Sequence, residues 1–167
     1  MALIIEDGSI VANAQSYATA EELRTFAQLR NICTVPDSDD EAEALLIKAM
    51  DYLESYRARY KGGKVSSTQL LQWPRSGVYI DGMLQSSTSI PREIYYAQLS
   101  AAIEQIDNEL QENRLRSDSG RIVEAELSGM KVKYENTGKL LQVSAFAKPE
   151  ALLAPLLKQN GLSLVRV

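Results

Sequence analysis

The spacing of apolar residues changes once along this chain, and that change constrains the fold more than any other feature. In three segments before about residue 113, apolar residues recur every three or four positions, as in amphipathic helices. From Val123 to Tyr134 they alternate with charged residues, as in paired β-strands that bury one face. The sequence therefore predicts a mainly α fold: a small helical bundle with a long structured loop, a C-terminal β-hairpin and an extended docking tail.

Three core helices are predicted, near residues 20–31, 40–60 and 91–113, and a short helix is predicted from Glu150 to Asn160. Thr19 with Glu22 has the spacing of a capping box, and so has Ser38 with Glu41. Gly62 and its neighbouring glycine are expected to end the second helix. These elements divide the chain into an N-terminal arm (1–18), a helical core with a Trp-Pro-Arg loop (19–113), and a hairpin with a C-terminal docking segment (114–167).

The connection between the second and third helices, over residues 65–89, is long for a segment without regular structure. Loops of this length are usually functional or held down by specific packing. Trp73 followed by the rigid Pro74 predicts a loop anchor that packs on the helices. Arg75 either pairs with a carboxylate or reaches a partner, and the sequence leaves both roles open.

The alternating segment predicts a hairpin that turns at Ser128-Gly129. This register places Glu124 opposite Lys133 and Glu126 opposite Lys131 on one face. The other face is apolar, and a lone ribbon of this kind is marginally stable in water. We therefore expect a neighbouring subunit to cover part of that face, which contains Val123, Ala125, Val132 and Tyr134.

The composition excludes several classes of function. The chain has no His and one Cys, so it has no His-dependent catalytic site, no HExxH zinc site and no CxxC metal site. Cys33 is expected to be a small buried hydrophobe. No apolar run reaches the roughly 20 residues that span a bilayer. We expect no catalytic residues, no metal, no cofactor and no membrane contact.

The end of the second predicted helix and the residues that follow it carry a nucleic-acid signal. This segment combines three tyrosines, Tyr52, Tyr56 and Tyr60, with four cations, Arg57, Arg59, Lys61 and Lys64. Aromatic rings can stack on bases while cations neutralise phosphates, so DNA contact is one interpretation. The tyrosines also continue the apolar stripe of the helix, which favours core packing. An overall charge of −4 argues against a protein that grips phosphates over its whole surface.

The C-terminal end contains an apolar strip for which the chain offers no evident partner strand. Strand addition to another protein would satisfy its backbone groups, so we expect docking there, with burial in the chain's own fold as the alternative. The docking residues are predicted to be Leu156, Leu157, Leu162, Leu164, Val165 and Arg166.

Several segments together resemble a family of tailed-phage proteins labelled DnaT-like single-stranded-DNA-binding proteins. The start of the chain has the pattern Glu-Asp-Gly-x-x-Val-Ala-Asn-Ala-x-Ser-Tyr, and Trp-Pro-Arg-Ser-Gly-Val follows at residues 73–78. Further resemblance lies in the Ala44–Tyr60 helix, Ile90-Pro91, Leu152–Leu157 and Val165–Val167. In helical layout these proteins look like head–tail connector, or adaptor, proteins.

The resemblance to connectors implies a structural virion protein with no catalytic residues. It would form a ring, expected to be a dodecamer, beneath the portal protein and would seat the next neck or tail-terminator protein. Double-stranded DNA would pass through without specific binding. Such a subunit is expected in the virion neck, and in the host cytoplasm before assembly. The alternative is a single-stranded-DNA-binding accessory protein of replication.

Overall fold

The computed structural model describes residues 3–32, 35–107, 124–127, 130–133 and 147–158. The fold is mainly α, as the spacing predicts. Its helices are α1 (Ala20–Arg30), α2 (Asp39–Ser55), α3 (Arg92–Asp107) and α4 (Ala147–Leu153), and a 3-10 turn (Ala154–Leu156) follows α4. Among the described residues, the strands form three antiparallel pairs: β1 (Gly63–Lys64) with β2 (Arg75–Ser76), β3 (Tyr79–Ile80) with β4 (Met83–Leu84), and β5 (Glu124–Leu127) with β6 (Met130–Lys133).

Helix α1 begins at the predicted capping box. The Thr19 hydroxyl accepts the Glu22 backbone N–H at 3.2 Å, and the Glu22 carboxylate accepts the Thr19 N–H at 2.8 Å. These two bonds satisfy N–H groups that have no partner within the helix. The helix buries Leu23, Phe26 and Ala27 and ends at Asn31 in a left-handed conformation.

The start of α2 differs from the prediction. Ser38 precedes the helix but makes no side-chain capping bond, so the second capping box is wrong. Arg24 of α1 fixes this connection instead: its guanidinium binds the Asp39 carboxylate at 2.7 Å and the carbonyl oxygens of Pro36 and Asp37. Acidic residues in the first turn of α2 favour the positive end of the helix dipole.

Helix α2 also ends earlier than predicted, at Ser55 instead of near Tyr60. The chain beyond it pairs with the C-terminal segment. The Lys61 N–H donates to the Leu156 carbonyl at 2.9 Å, and the Lys158 N–H donates to the Arg59 carbonyl at 2.7 Å. These bonds hold residues 59–61 against the C-terminal segment, with Tyr60 and Leu157 as an isolated antiparallel bridge.

The N-terminal arm packs against the helical core through buried polar contacts. Glu6 is almost fully buried, and its carboxylate accepts the backbone N–H groups of Gly8, Ile10 and Val11 at 2.8–2.9 Å. Gln98 of α3 joins the arm to the helices. Its side-chain oxygen accepts the Tyr17 N–H at 3.0 Å. Its NH2 group donates to the Leu46 carbonyl of α2 at 3.2 Å and to the Ser16 hydroxyl of the arm at 2.7 Å. The buried amide therefore fixes the position of the arm.

The long loop contains the β1–β2 and β3–β4 pairs and is held by Trp73. This side chain is fully buried, and its ring packs edge-on against Tyr60 with centroids 5.9 Å apart. The Trp73 backbone N–H donates to the Tyr17 hydroxyl at 3.0 Å, and a cis peptide bond joins Trp73 to Pro74. The loop is thus attached to the core at its centre, as expected.

Strands β5 and β6 belong to a second compact unit of the chain. Their register is the predicted one, with Glu124 opposite Lys133 and Glu126 opposite Lys131. Val123 and Tyr134 lie outside the described residues, and so do the turn and Cys33. Coverage of the hairpin's apolar face by another subunit stays a prediction.

The C-terminal helix starts at Ala147, before the predicted residue 150, and Pro149 lies within its first turn. The docking role predicted for Leu156 and Leu157 is wrong, because both are buried in the chain's own core. Leu162, Leu164, Val165 and Arg166 lie outside the described residues. No helix among those described is long and apolar enough to cross a membrane.

The burial of Trp73 predicts that the loop depends on this ring. Trp73→Ala should lower the free energy of unfolding by about 3–5 kcal/mol, the usual cost of removing a large aromatic from a core. Leu70→Ala is the matched control, because Leu70 lies in the same loop but is 56% exposed. Urea denaturation followed by far-ultraviolet circular dichroism measures both. Equal stability of the two variants would contradict the anchoring role.

Candidate nucleic-acid interface

One surface segment concentrates positive charge in a chain whose net charge is −4. Between Glu54 and Asp81 the sequence contains no acidic residue, and it contains the cations Arg57, Arg59, Lys61, Lys64 and Arg75. The fold adds Lys158, whose backbone binds that of Arg59. We name as the basic strip Arg57, Arg59, Lys61, Lys64 and Lys158. Lys158 was missed by sequence reasoning, since only the pairing of distant segments brings it there.

The tyrosines of this region face inward. Tyr52, Tyr56 and Tyr60 are at most 9% exposed, which confirms core packing over base stacking. The Tyr60 hydroxyl donates to the Leu53 carbonyl at 3.0 Å, and the Tyr56 hydroxyl donates to Glu150. Burial raises the pKa of Tyr56 and Tyr60 well above the usual value, so both phenols stay neutral. The tyrosine rings are therefore unavailable to bases.

The two neighbours of Tyr60 are more accessible than its ring. Tyr60 is 1% exposed, whereas Arg59 lies in an exposed turn and Lys61 in a half-buried bend. Arg59 is exposed, with its guanidinium 5.3 Å from the centre of the Tyr56 ring. The Lys61 ammonium donates to the Pro155 carbonyl at 2.7 Å, which leaves two of its three donors for a ligand.

The remaining cations of the basic strip are also exposed. The Lys64 ammonium donates to the carbonyl oxygens of Gln69 and Leu70 at 2.9 and 3.0 Å. Arg57 and Lys158 complete the strip. Within the part of the chain that the structure describes, none of the five cations forms an ion pair with a carboxylate. Their charge is thus not neutralised by any described acidic residue.

Arg75 supports the basic strip from beneath. It is 6% exposed, and its guanidinium donates to the carbonyl oxygens of Lys61 at 2.7 Å and Gly62 at 2.9 Å. It also binds the Gln72 side-chain oxygen at 3.1 Å, while the Gln72 NH2 group donates to Glu54. Arg75 therefore takes neither of the roles left open by the sequence. Burial lowers the pKa of its guanidinium from the usual value, yet an arginine stays charged at neutral pH.

Gly62 allows the basic strip to approach β2. Its φ is +65°, and a β-carbon added there would lie 2.1 Å from the Ser76 carbonyl oxygen. No other residue fits this position without moving the backbone. Gly63, the next residue, has open space around the corresponding position. Close packing thus requires a glycine at position 62 but not at position 63.

A concave surface lies between α1 and α3, with a cavity of about 290 Å³. Its lining includes Phe26 and Tyr96, the carboxylates of Glu21 and Glu22, and one cation, Arg30. Because the two carboxylates outnumber the cation, they disfavour a phosphate backbone in this groove. Among the described residues, no group of three His, Cys, Asp or Glu side chains is arranged to hold a metal ion. The basic strip is therefore the stronger candidate site.

The strip's position on the surface fits sequence-independent contact with an anionic polymer. A family model described as "Putative DnaT-like ssDNA binding protein" matches residues 1–167. No curated protein and no protein of solved structure shows a significant match. The prediction of a head–tail connector is wrong, because the match is to this family and not to a connector family. The virion and portal roles inferred from that resemblance are withdrawn with it.

The close approach at Gly62 predicts different effects for two adjacent substitutions. Gly62→Ala forces a positive φ on alanine and a contact with backbone, so it should lower the free energy of unfolding by more than about 1 kcal/mol. Gly63→Ala, the matched control, should change it by less than about 0.5 kcal/mol. Urea denaturation followed by fluorescence of Trp73, the chain's one tryptophan, measures both. Similar stability of the two variants would contradict this packing.

Proposed function

The chain belongs to the DnaT-like single-stranded-DNA-binding family, and we propose from this premise that it binds single-stranded DNA through the basic strip. The function is that of a binding protein, an accessory of DNA replication, and not of an enzyme. The observation that carries the proposal is a group of five cations, at least partly exposed and without an ion pair among the described residues, on a chain with an overall negative charge. This function was the alternative in the sequence analysis.

The chemistry of the strip favours contact with phosphates. Arginine and lysine side chains neutralise the backbone of a nucleic acid and release its counterions. The acidic balance of the rest of the chain repels DNA and limits contact to this surface. Such binding is independent of sequence and depends strongly on salt. For a single strand, the slope of log K against log salt concentration should be no steeper than about −3.5, the value reached if each of the five cations contacts a phosphate.

The local fold prepares the strip for this contact. Arg75 and the C-terminal segment hold its backbone from two sides, through hydrogen bonds at 2.7–2.9 Å to residues 59, 61 and 62. A backbone fixed in this way loses little conformational entropy on binding. The cations therefore start close to the arrangement in which they contact DNA.

The proposal predicts that charge at the strip, and not net charge, determines affinity. Arg57→Gln/Arg59→Gln should weaken binding to a 20-nucleotide oligothymidine by roughly tenfold and reduce the salt slope by about 1.4. Lys48→Glu is the matched control, because it changes the net charge by the same two units at an exposed position of α2. Fluorescence anisotropy at several salt concentrations measures all three proteins.

Two results would contradict this proposal. One is an equal loss of affinity in both variants, since that would assign binding to the overall charge. The other is a wild-type protein that shows no salt-dependent binding to the oligothymidine at low ionic strength. Thermal unfolding of each variant checks that the fold is retained; all three substituted residues are exposed.

A further inference from the structure

The β3–β4 hairpin presents an exposed apolar surface beside the basic strip. Its two strands are joined by Asp81-Gly82, both with positive φ, as in a tight hairpin turn. Tyr79 is 57% exposed, and Leu84, directly opposite in the register, is 61% exposed. Opposed residues of an antiparallel pair lie on the same face, so the phenol ring and the leucine side chain form one surface.

This exposed surface is not explained by the packing of the hairpin. Val78 and Ile80, the neighbours of Tyr79, are buried, and they attach the hairpin to the core. An outward-facing ring between two buried side chains contributes little to stability. Tyr79 is the one aromatic residue among the large hydrophobic side chains that are exposed in the described part of the chain. It is thus the described ring most accessible to a ligand.

The hairpin follows directly from the strand that pairs with the strip. Ser76 of β2 pairs with Gly63, and a β-carbon on Gly62 would lie 2.8 Å from Val78 Cγ2. Tyr79 therefore follows directly in the chain on a residue, Val78, that lies close to Gly62, the neighbour of Lys61. A nucleotide whose phosphate binds the cations needs a neighbouring surface for its base, and the hairpin supplies one.

The charge at the hairpin turn favours a base over a phosphate there. Asp81 is exposed and ends the acid-free segment, so its carboxylate repels the DNA backbone from the turn. A base is uncharged and has a flat π-face that stacks on an aromatic ring. The cations of the basic strip thus suit the phosphates of a strand, and the exposed ring of Tyr79 suits one of its bases.

We propose that Tyr79, supported by Leu84, stacks on an unpaired base of the strand bound by the basic strip. This rests on the proposed function and adds the source of its preference for single strands. In a duplex the base faces are covered by neighbouring base pairs, so the ring has nothing to stack on except at an end. The strip alone would bind single and double strands through phosphates without distinguishing them.

The test compares three variants on three probes of equal length: a 20-nucleotide oligothymidine, an abasic deoxyribose-phosphate 20-mer, and a 20-base-pair duplex. Tyr79→Ala should weaken binding to the oligothymidine by about tenfold, the expected loss of one stacked base. Its affinity for the abasic strand and for the duplex should not change. Tyr79→Phe keeps the ring and should bind like the wild type, and so should Leu29→Ala, a control at a 78% exposed residue of α1.

The outcomes separate this inference from the proposed function. Equal binding of oligothymidine and the abasic strand by the wild type would overturn the stacking role. So would a Tyr79→Ala variant that binds both strands as the wild type does. In either case the salt-dependent binding of DNA by the basic strip would still stand. An equal loss on both strands also overturns the stacking role, since the ring would then not act through bases. If the wild type binds none of the probes at low salt, the proposed function and this inference both fail.

Discussion

The candidate interface depends on one buried side chain, the guanidinium of Arg75. It binds the carbonyl oxygens of Lys61 and Gly62 together with the side-chain oxygen of Gln72, and no carboxylate contacts it directly among the described residues. A buried charge is costly unless it is fully hydrogen-bonded, and the planar fork of arginine meets several acceptors at once. The Tyr60 ring lies beside this guanidinium, with its centre 5.8 Å from the guanidinium carbon, and packs edge-on against Trp73. The path of the strip's backbone follows from these contacts.

The direction of each side chain in the strip follows from that path. Tyr60 enters the core and packs edge-on against Trp73, while Arg59 on one side of it is exposed and Lys61 on the other is half-buried. The C-terminal segment closes the arrangement by pairing with residues 59–61 and brings Lys158 to the same surface. The same contacts thus stabilise the core and expose the cations. For this reason the tyrosines that resemble a stacking motif in sequence are structural, while Tyr79, outside that motif, is exposed.

The sequence predicts those features that depend on near neighbours. Thr19 and Glu22 form their capping box, and the β5–β6 register follows from alternation and a two-residue turn. Prediction from the sequence fails where contacts between distant segments determine the structure. Nothing near Tyr60 shows that Leu156 and Leu157 will pair with its segment, so both the end of α2 and the burial of these leucines were predicted wrongly. Four of the five cations of the strip were identified from the sequence, whereas Lys158 joins them only through the same distant pairing. The connector interpretation rested on a likeness of helical layout, which says little about function.

Hydrogen–deuterium exchange of the full chain, with and without a saturating 20-nucleotide oligothymidine, tests the central claim that the basic strip is the DNA-binding surface. We expect slower exchange for amides of residues 57–64 and for the β3–β4 hairpin, because bound DNA covers these segments. Amides of α1, beside the acidic groove, should exchange at the same rate in both states. Protection at α1 without protection of residues 57–64 would contradict the account, and so would a strand that binds without protecting either segment.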